Sequence, residues 1–93
     1  MGFFNTVENR IKSGALVVDV RTADEYGDEH FPKALNIPVG ELEARAAELG
    51  AKDRAIVLYC ASGARSALAA RMLKSLGFTD VTNAGGLSDM PGF

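Results

Sequence analysis

The stretch AIVLYCASGARSALAARMLKSL, Ala55–Leu76, decides the fold. Its first part, Ala55–Tyr59, is a short and unbroken apolar run, which predicts a buried strand. Because both faces of this strand are apolar, we expect it to lie centrally in a parallel sheet covered by helices on both sides. The run 66–76 predicts a helix that ends at Gly77, because apolar residues recur there at helical spacing: Leu68, Met72, Leu73 and Leu76.

Shorter elements on either side of this stretch complete an alternating pattern. Short apolar or β-branched runs predict three further strands, Leu16–Val20, Ala34–Ile37 and Asp80–Thr82. Strands that alternate with helices indicate an α/β domain with a mainly parallel central sheet flanked by helices on both faces. At 93 residues the chain fits one domain, 1–93.

Helix signals lie between the predicted strands. Two capping boxes, Asn5–Glu8 and Thr22–Glu25, mark where the first two helices begin. The predicted segments, in chain order, are a helix ending at Ser13, a helix over 23–28, a helix over 41–49, a turn at 83–86 and a terminal helical stub at 87–90.

Composition excludes several classes of protein. A net charge of −2 without a Lys/Arg cluster argues against nucleic acid as a partner. The longest apolar run, 55–61, is far shorter than the roughly 20 residues that cross a bilayer, so no membrane association is expected. Residues 1–5 carry no basic stretch ahead of a long apolar core, and no secretory signal is predicted.

The chain has a single cysteine, Cys60. It cannot form an internal disulfide and has no Cys or His partner at metal-ligand spacing. We therefore expect a reducing compartment, the cytoplasm. A periplasmic protein whose leader has been removed is the alternative.

Cys60 follows the best predicted strand directly, at the edge of the sheet where α/β proteins bind ligands. The helix that follows should point its N-terminus, with its partial positive charge and free N–H groups, toward the sulfur. Such settings lower a cysteine pKa into the range of roughly 3.5 to 7.5. The position thus favours a reactive thiol over the alternative, a buried structural cysteine.

The residues after Cys60 favour an anion-binding loop. Arg65 closes this loop with a fixed charge and forked donors, suited to an oxyanion group. Its spacing is Cys-x4-Arg, one residue tighter than the Cys-x5-Arg loop of cysteine phosphatases, so a single sulfur atom fits it better than a phosphate. The loop positions between them have little side chain to block converging N–H groups: Ala61, Ser62, Gly63 and Ala64.

Four segments together resemble the single-domain rhodaneses, most closely the small bacterial thiosulfate sulfurtransferases that include the phage-shock type. They are VVDVRTADEY at 17–26, EHFPKALNIP at 29–38, YCASGARS at 59–66 and NAGGLSDM at 83–90. The sequence departs from the pattern at Glu29 and Lys33, where many relatives have glycine, and at Met90, where many have tryptophan. These changes lie outside the loop, at positions expected to affect the rim and partner choice.

The resemblance implies a sulfurtransferase with Cys60 as the catalytic nucleophile and the 61–65 loop as the substrate-binding element. The Cys60 thiolate would take the outer sulfur of thiosulfate as a persulfide, and cyanide, a thiol or a protein acceptor would remove it. Arg65 would hold the sulfonate end of the donor. The chemistry implied needs no metal and no organic cofactor.

Two other functions fit the same loop. One is a non-enzymatic persulfide carrier or sensor that serves a partner protein. The other is a small phosphatase or arsenate reductase, against which the short loop argues.

Polar residues elsewhere are expected to have structural roles. Asp19 and Arg21 end the first strand and favour ion pairs with neighbours, such as Arg21 with Glu25. His30 begins a turn and favours a hydrogen-bonding role. Ser66 is expected to begin the helix, although its hydroxyl could also reach the sulfur.

Overall fold

A parallel four-stranded sheet forms the centre of the computed structural model, which describes residues 6–93. The spatial order is β2-β1-β3-β4, and every pairing is parallel. β3 lies inside the sheet with all five residues buried, as the apolar run predicts. The strands are β1 Leu16–Asp19, β2 Leu35–Asn36, β3 Ile56–Cys60 and β4 Val81–Gly86.

The structure has three α-helices: α1 Thr6–Lys12, which precedes β1, α2 Ala23–Asp28, which connects β1 to β2, and α3 Ala64–Ser75, which connects β3 to β4. The capping box at the start of α2 is confirmed, because Thr22 Oγ1 accepts from the N–H of Glu25 and the Glu25 carboxylate accepts from the N–H of Thr22. The capping role predicted for Asn5 lies outside the described residues. No helix in residues 6–93 is long and apolar enough to cross a membrane.

Each face of the sheet buries its own apolar core, which confirms the predicted arrangement of helices on both faces. The first core, beneath α3, contains Val18, Val20, Ile37, Leu42, Leu49, Ile56, Leu58, Cys60, Ala69, Ala70, Leu73 and Phe78. The second core contains Val17, Ala34, Val57, Tyr59 and Met90, against which Val7, Ile11, Tyr26, Phe31 and Leu87 pack. Successive residues of a strand point to opposite faces, so Tyr59 and Cys60 belong to different cores.

Met90 lies in the second core and is 2% exposed. The expectation that its departure from tryptophan affects the rim is therefore wrong. The methionine fills core volume instead, a role for which its flexible side chain is suited.

The helix predicted over 41–49 is wrong. Two 3-10 turns, Val39–Glu41 and Ala46–Leu49, take its place. Leu42 and Leu49 are nevertheless fully buried. Because two short turns bury the same side chains, this segment gains little from completing a helix whose nucleation is costly.

The turn predicted at 83–86 is also wrong, because these residues continue β4. Parallel pairing with β3 outweighs the local turn preference of Asn83 and the glycines. The register of this pairing shifts between Leu58 and Cys60, and Gly86 becomes the partner of Cys60. The final residues form a 3-10 turn, Leu87–Asp89, close to the predicted stub.

α3 begins two residues earlier than predicted, and three of its four predicted apolar residues, Met72, Leu73 and Leu76, pack on the core beneath it. Leu68, expected in the core, is 44% exposed. The buried positions of the helix are Ser66, Ala69, Ala70 and Leu73. The alanines Ala69 and Ala70 face the sheet in place of Leu68, and their small side chains allow the helix to approach the sheet closely.

Lys33 adopts a left-handed backbone conformation, with φ of 68°, in the turn before β2. The N–H of Ala34 donates to the carbonyl of Phe31 at 3.0 Å, and Pro32 occupies the second position of the turn. The third position of such a turn requires positive φ when the turn is type II, and glycine is its preferred residue. This backbone requirement makes glycine the residue best suited to position 33.

We predict that Lys33→Gly raises the free energy of unfolding by about 0.5–1 kcal/mol, because glycine removes the left-handed penalty. Lys33→Ala is the matched control, since it removes the charge and keeps the Cβ atom. Urea unfolding of the three proteins measures the difference. A gain with alanine as large as that with glycine would show that charge, rather than backbone conformation, limits stability.

Candidate active site

Cys60 is the last residue of β3 and is 1% exposed. Its sulfur accepts hydrogen bonds from the N–H of Gly63 at 2.9 Å and the N–H of Ser66 at 3.4 Å, and the Ser66 hydroxyl lies within hydrogen-bonding distance at 3.3 Å. The thiol is therefore buried but faces the first turn of α3 rather than aliphatic neighbours alone. This geometry agrees with the predicted convergence of N–H groups on the sulfur.

These hydrogen bonds determine the direction of the shift in the thiol pKa. Burial by itself raises the pKa of Cys60, because it disfavours the anion. Donation from the Ser66 hydroxyl and from the N–H groups of Ser66, Gly63 and Ser62 outweighs burial. The pKa of Cys60 is lowered from its ordinary value, and the thiolate becomes accessible nearer to neutral pH.

Gly63 makes the loop conformation possible. Its φ is 101°, a left-handed value that favours glycine, and it is the N-cap of α3. The N–H groups of Ala64 and Arg65 belong to the first turn, where a helix supplies no acceptor of its own. Of the predicted loop residues 61–64, Gly63 donates its N–H directly to the sulfur, and the N–H of Ser62 also helps to lower the thiol pKa.

Gly86 supports the loop from β4. A Cβ atom at this position would lie 2.2 Å from the carbonyl oxygen of Ala61, which is far inside any permitted contact. Gly86 also donates its N–H to the Asp89 carboxylate at 2.8 Å. The absence of a side chain lets β4 pass directly behind the loop.

Arg65 is placed near the loop but is not free. Its two terminal nitrogens donate to the two carboxylate oxygens of Glu25 at 2.7 and 2.9 Å. The Arg65 guanidinium holds the pKa of Glu25 down to about 2, so this carboxylate is ionised throughout the ordinary pH range. The pairing predicted between Glu25 and Arg21 is wrong, because Glu25 binds Arg65.

Ser66 is not the residue that begins α3, since Gly63 is the N-cap and Ala64 the first helical residue. Instead it is fully buried, and its hydroxyl contacts the Cys60 sulfur, the second of the two roles that the sequence left open. Asn83 was missed by the sequence reasoning, although its Oδ1 lies 2.7 Å from Ser66 Oγ. The Asn83-Ala84-Gly85-Gly86 pattern predicts a turn, and a turn gives no reason to expect a contact between Asn83 and Ser66.

Asp19 and Arg21 form a buried network on the opposite face of the sheet from Cys60. The Arg21 guanidinium donates to both Asp19 oxygens, at 2.7 to 3.1 Å, and to the carbonyl of Glu29 at 2.6 Å. The Tyr59 hydroxyl donates to Asp19 at 2.7 Å and accepts from the N–H of Phe31. Since Asp19 pairs in register with Tyr59, its side chain faces away from the sulfur. The structural role predicted for Asp19 and Arg21 fits this geometry.

His30 lies just after α2 and contacts Tyr26 of that helix. Its Nδ1 lies 2.8 Å from the carbonyl oxygen of Tyr26, and its ring stacks on the Tyr26 ring with centroids 3.7 Å apart. These contacts agree with the predicted hydrogen-bonding role. Within residues 6–93, no group of three or more His, Cys, Asp or Glu side chains is placed to hold a metal ion.

Comparison with known proteins agrees with this geometry. Residues 4–89 match the family model of the rhodanese-like domain. The chain belongs to the rhodanese family. A solved structure described as a rhodanese with anions from E. coli superposes with a TM-score of 0.80 at 37% identity, covering 84% of this chain and 93% of that one.

Two curated relatives of this rhodanese domain carry different names. The thiosulfate sulfurtransferase PspE of Escherichia coli is 39% identical over 74 residues, which are 78% of this chain and 71% of PspE. The putative sulfur carrier protein YrkF of Bacillus subtilis is 46% identical over 67 residues, which are 72% of this chain. The match spans only 36% of YrkF.

We predict that Gly86→Ala destabilises the rhodanese domain by about 1–3 kcal/mol, because the new methyl group overlaps the backbone of the loop. Gly27→Ala in α2 is the control. A Cβ atom there meets nothing within 4 Å, so we expect no loss and a gain of up to about 1 kcal/mol. Thermal and urea unfolding measure both effects. Equal stability of Gly86→Ala and the parent would contradict the close approach.

Proposed function

We propose that this rhodanese domain transfers sulfane sulfur from thiosulfate to a nucleophilic acceptor through a persulfide on Cys60. The observation that carries the proposal is the set of hydrogen bonds from Gly63 and Ser66 to the Cys60 sulfur at the start of α3. They stabilise a thiolate, which is the nucleophilic form of cysteine. A reducing compartment, the cytoplasm, suits a thiol that must stay free.

The reaction consists of two displacements at sulfur. The Cys60 thiolate attacks the outer sulfur of thiosulfate, the S–S bond of the donor breaks, and sulfite leaves with the bonding electrons. Cyanide or a thiolate then attacks the outer persulfide sulfur and releases the Cys60 thiolate. No net redox change occurs on the protein, and each step forms one bond to the transferred sulfur and breaks another.

The first turn of α3 supplies donors to this chemistry. In this proposal the N–H groups of Ala64 and Arg65, which belong to the first turn, would donate to the outer sulfur or to a sulfonate oxygen, because a helix N-terminus favours negative charge. The loop has no large side chain between Ala61 and Ala64, so a small anion reaches these donors. The short Cys-x4-Arg loop favours one sulfur atom over a tetrahedral phosphate.

We predict that incubation with thiosulfate adds about 32 Da, the mass of one sulfur atom, to Cys60. Cys60→Ser should form no adduct and have no turnover while melting cooperatively. Intact-protein and peptide mass spectrometry measure the adduct, and release of thiocyanate from cyanide measures turnover. Absence of an adduct on the parent protein, at a pH where the thiol is ionised, would reject the proposal.

A persulfide carrier that serves a partner protein is the second candidate. The pairing of Arg65 with Glu25 favours it, because a guanidinium whose charge is balanced by a carboxylate attracts a free anionic donor less strongly. The name of YrkF, a putative sulfur carrier, points the same way. The adduct measurement, repeated with thiosulfate, mercaptopyruvate and the persulfide of a cysteine desulfurase as competing donors, separates the two candidates. Fastest loading of Cys60 by thiosulfate favours the enzyme, and fastest loading by the protein persulfide favours the carrier.

We predict that Arg65→Ala raises the KM for thiosulfate about tenfold, because a charged hydrogen-bond donor to the sulfonate is lost. Glu25→Gln should lower this KM by up to about fivefold, since it releases Arg65 from a half-exposed ion pair. Glutamine retains the ability to complete the capping box of α2, so the helix is preserved. Steady-state kinetics measure both values. A KM unaffected by Arg65→Ala would place the sulfonate elsewhere.

A further inference from the structure

The hydroxyl of Ser66 is surrounded by acceptors. Its oxygen lies within hydrogen-bonding distance of four atoms: Asn83 Oδ1 at 2.7 Å, the Gly63 carbonyl oxygen at 3.2 Å, the Cys60 sulfur at 3.3 Å and the Gly85 carbonyl oxygen at 3.3 Å. A hydroxyl has one hydrogen to donate. These groups therefore compete for it, and Asn83 Oδ1 is the nearest.

The orientation of the Asn83 amide follows from its other contacts. Its Oδ1 accepts the N–H of Gly85 at 2.9 Å, which requires an oxygen at that position. Its Nδ2 donates to the Gly63 carbonyl at 3.3 Å. The oxygen of the amide thus faces Ser66, so Asn83 takes the hydroxyl hydrogen and cannot supply one.

The fold places this amide beside the loop. Asn83 lies on β4 opposite Leu58, immediately before the register shift that brings Gly86 next to Cys60. Ser66 projects from the first turn of α3 and is fully buried, so solvent cannot satisfy its hydroxyl. The hydrogen must go to one of the protein acceptors.

We propose that Asn83 is a positioning residue that competes with the Cys60 sulfur for the Ser66 hydroxyl hydrogen. The inference rests on the proposed function, in which Cys60 is the nucleophile. While Cys60 is a neutral thiol, the hydrogen points to Asn83 Oδ1. When the sulfur becomes an anion, rotation of the hydroxyl turns the hydrogen to it, since an anionic acceptor binds more strongly. Asn83 thereby limits how readily the thiolate forms.

Charged groups near the loop remain unchanged when Asn83 is replaced. They are Arg65 from α3, its partner Glu25 from α2, Arg21 after β1 and Asp89 in the turn after β4. Their effects on the sulfur are common to all the variants below. A difference between the parent and the uncharged Asn83→Ala and Asn83→Val variants therefore reports on the hydrogen-bond competition.

The test is the thiol pKa of Cys60, measured from the pH dependence of alkylation by iodoacetamide and of thiolate absorbance. Asn83→Ala and Asn83→Val remove the competing acceptor, and we expect both to lower the midpoint by about 0.5–1 pH unit. Valine suits a strand and preserves β4 if alanine weakens it. Asn83→Asp retains an acceptor and adds negative charge, so its midpoint should rise.

The Ser66→Ala background distinguishes competition from a general disturbance of the loop. Ser66→Ala alone should raise the midpoint, and adding Asn83→Ala or Asn83→Val to it should cause no further shift. A drop of equal size in this background would overturn the proposal, as would an unchanged or raised midpoint in the single Asn83→Ala and Asn83→Val variants. A lowered midpoint in Asn83→Asp would also contradict it.

Rejection of the role of Asn83 can be distinguished from rejection of the proposed function. If the parent protein takes up no sulfur from any donor, the sulfurtransferase proposal fails, yet the titrations still decide whether Asn83 competes for the hydrogen. If the Cys60 adduct forms and the midpoints of the Asn83→Ala and Asn83→Val variants equal that of the parent, only the role of Asn83 is rejected. Thermal melts of every variant accompany the titrations.

Discussion

The structure depends on bringing the end of β3 against the first turn of α3 without a steric clash. The Cys60 sulfur accepts from Gly63 and Ser66 only because the chain reverses within three residues. That reversal needs a left-handed residue at Gly63 and a β4 backbone without a side chain at Gly86. The carboxyl end of a central parallel strand and a helix N-terminus then meet at one point, which concentrates N–H donors where an anion forms.

The two faces of the sheet carry different sets of polar groups. One face carries Cys60 and the donors of α3, and the other carries the ion pair of Asp19 and Arg21 with the Tyr59 hydroxyl. A buried ion pair needs its hydrogen-bonding capacity satisfied, and here the Asp19 carboxylate accepts from both the Arg21 guanidinium and the Tyr59 hydroxyl. This network connects β1 and β3 with the segment before β2 through Glu29 and Phe31. Because side chains alternate between the two faces along a strand and Asp19 pairs with Tyr59, the charge of Asp19 lies on the face away from the Cys60 sulfur.

Sequence reasoning succeeded wherever a local pattern had only one structural solution. The apolar run 55–59 lies in the sheet within one residue of the predicted limits, and the Thr22–Glu25 capping box starts α2 as expected. Cys60 and the small residues after it were placed correctly, because a strand followed by a glycine-containing turn and a helix leaves little freedom. The prediction of a helix over 41–49 was wrong because the conformation of this segment depends on burying Leu42 and Leu49. Two 3-10 turns bury these side chains as well as a helix would.

The sequence by itself determined the four strands, the three α-helices, the position of Cys60 at the end of β3 and the resemblance to a family of small α/β domains. The strands and helices follow from periodicity and caps, which act over a few neighbouring residues, and the family follows from the resemblance of four sequence segments. Only the tertiary structure decided that Glu25 binds Arg65, that Ser66 contacts the sulfur and that Asn83 contacts Ser66. The partners of Arg65 and Asn83 in these contacts are 40 and 17 residues away in the chain, so the packing of α2 and β4 around the loop selects them rather than any local preference.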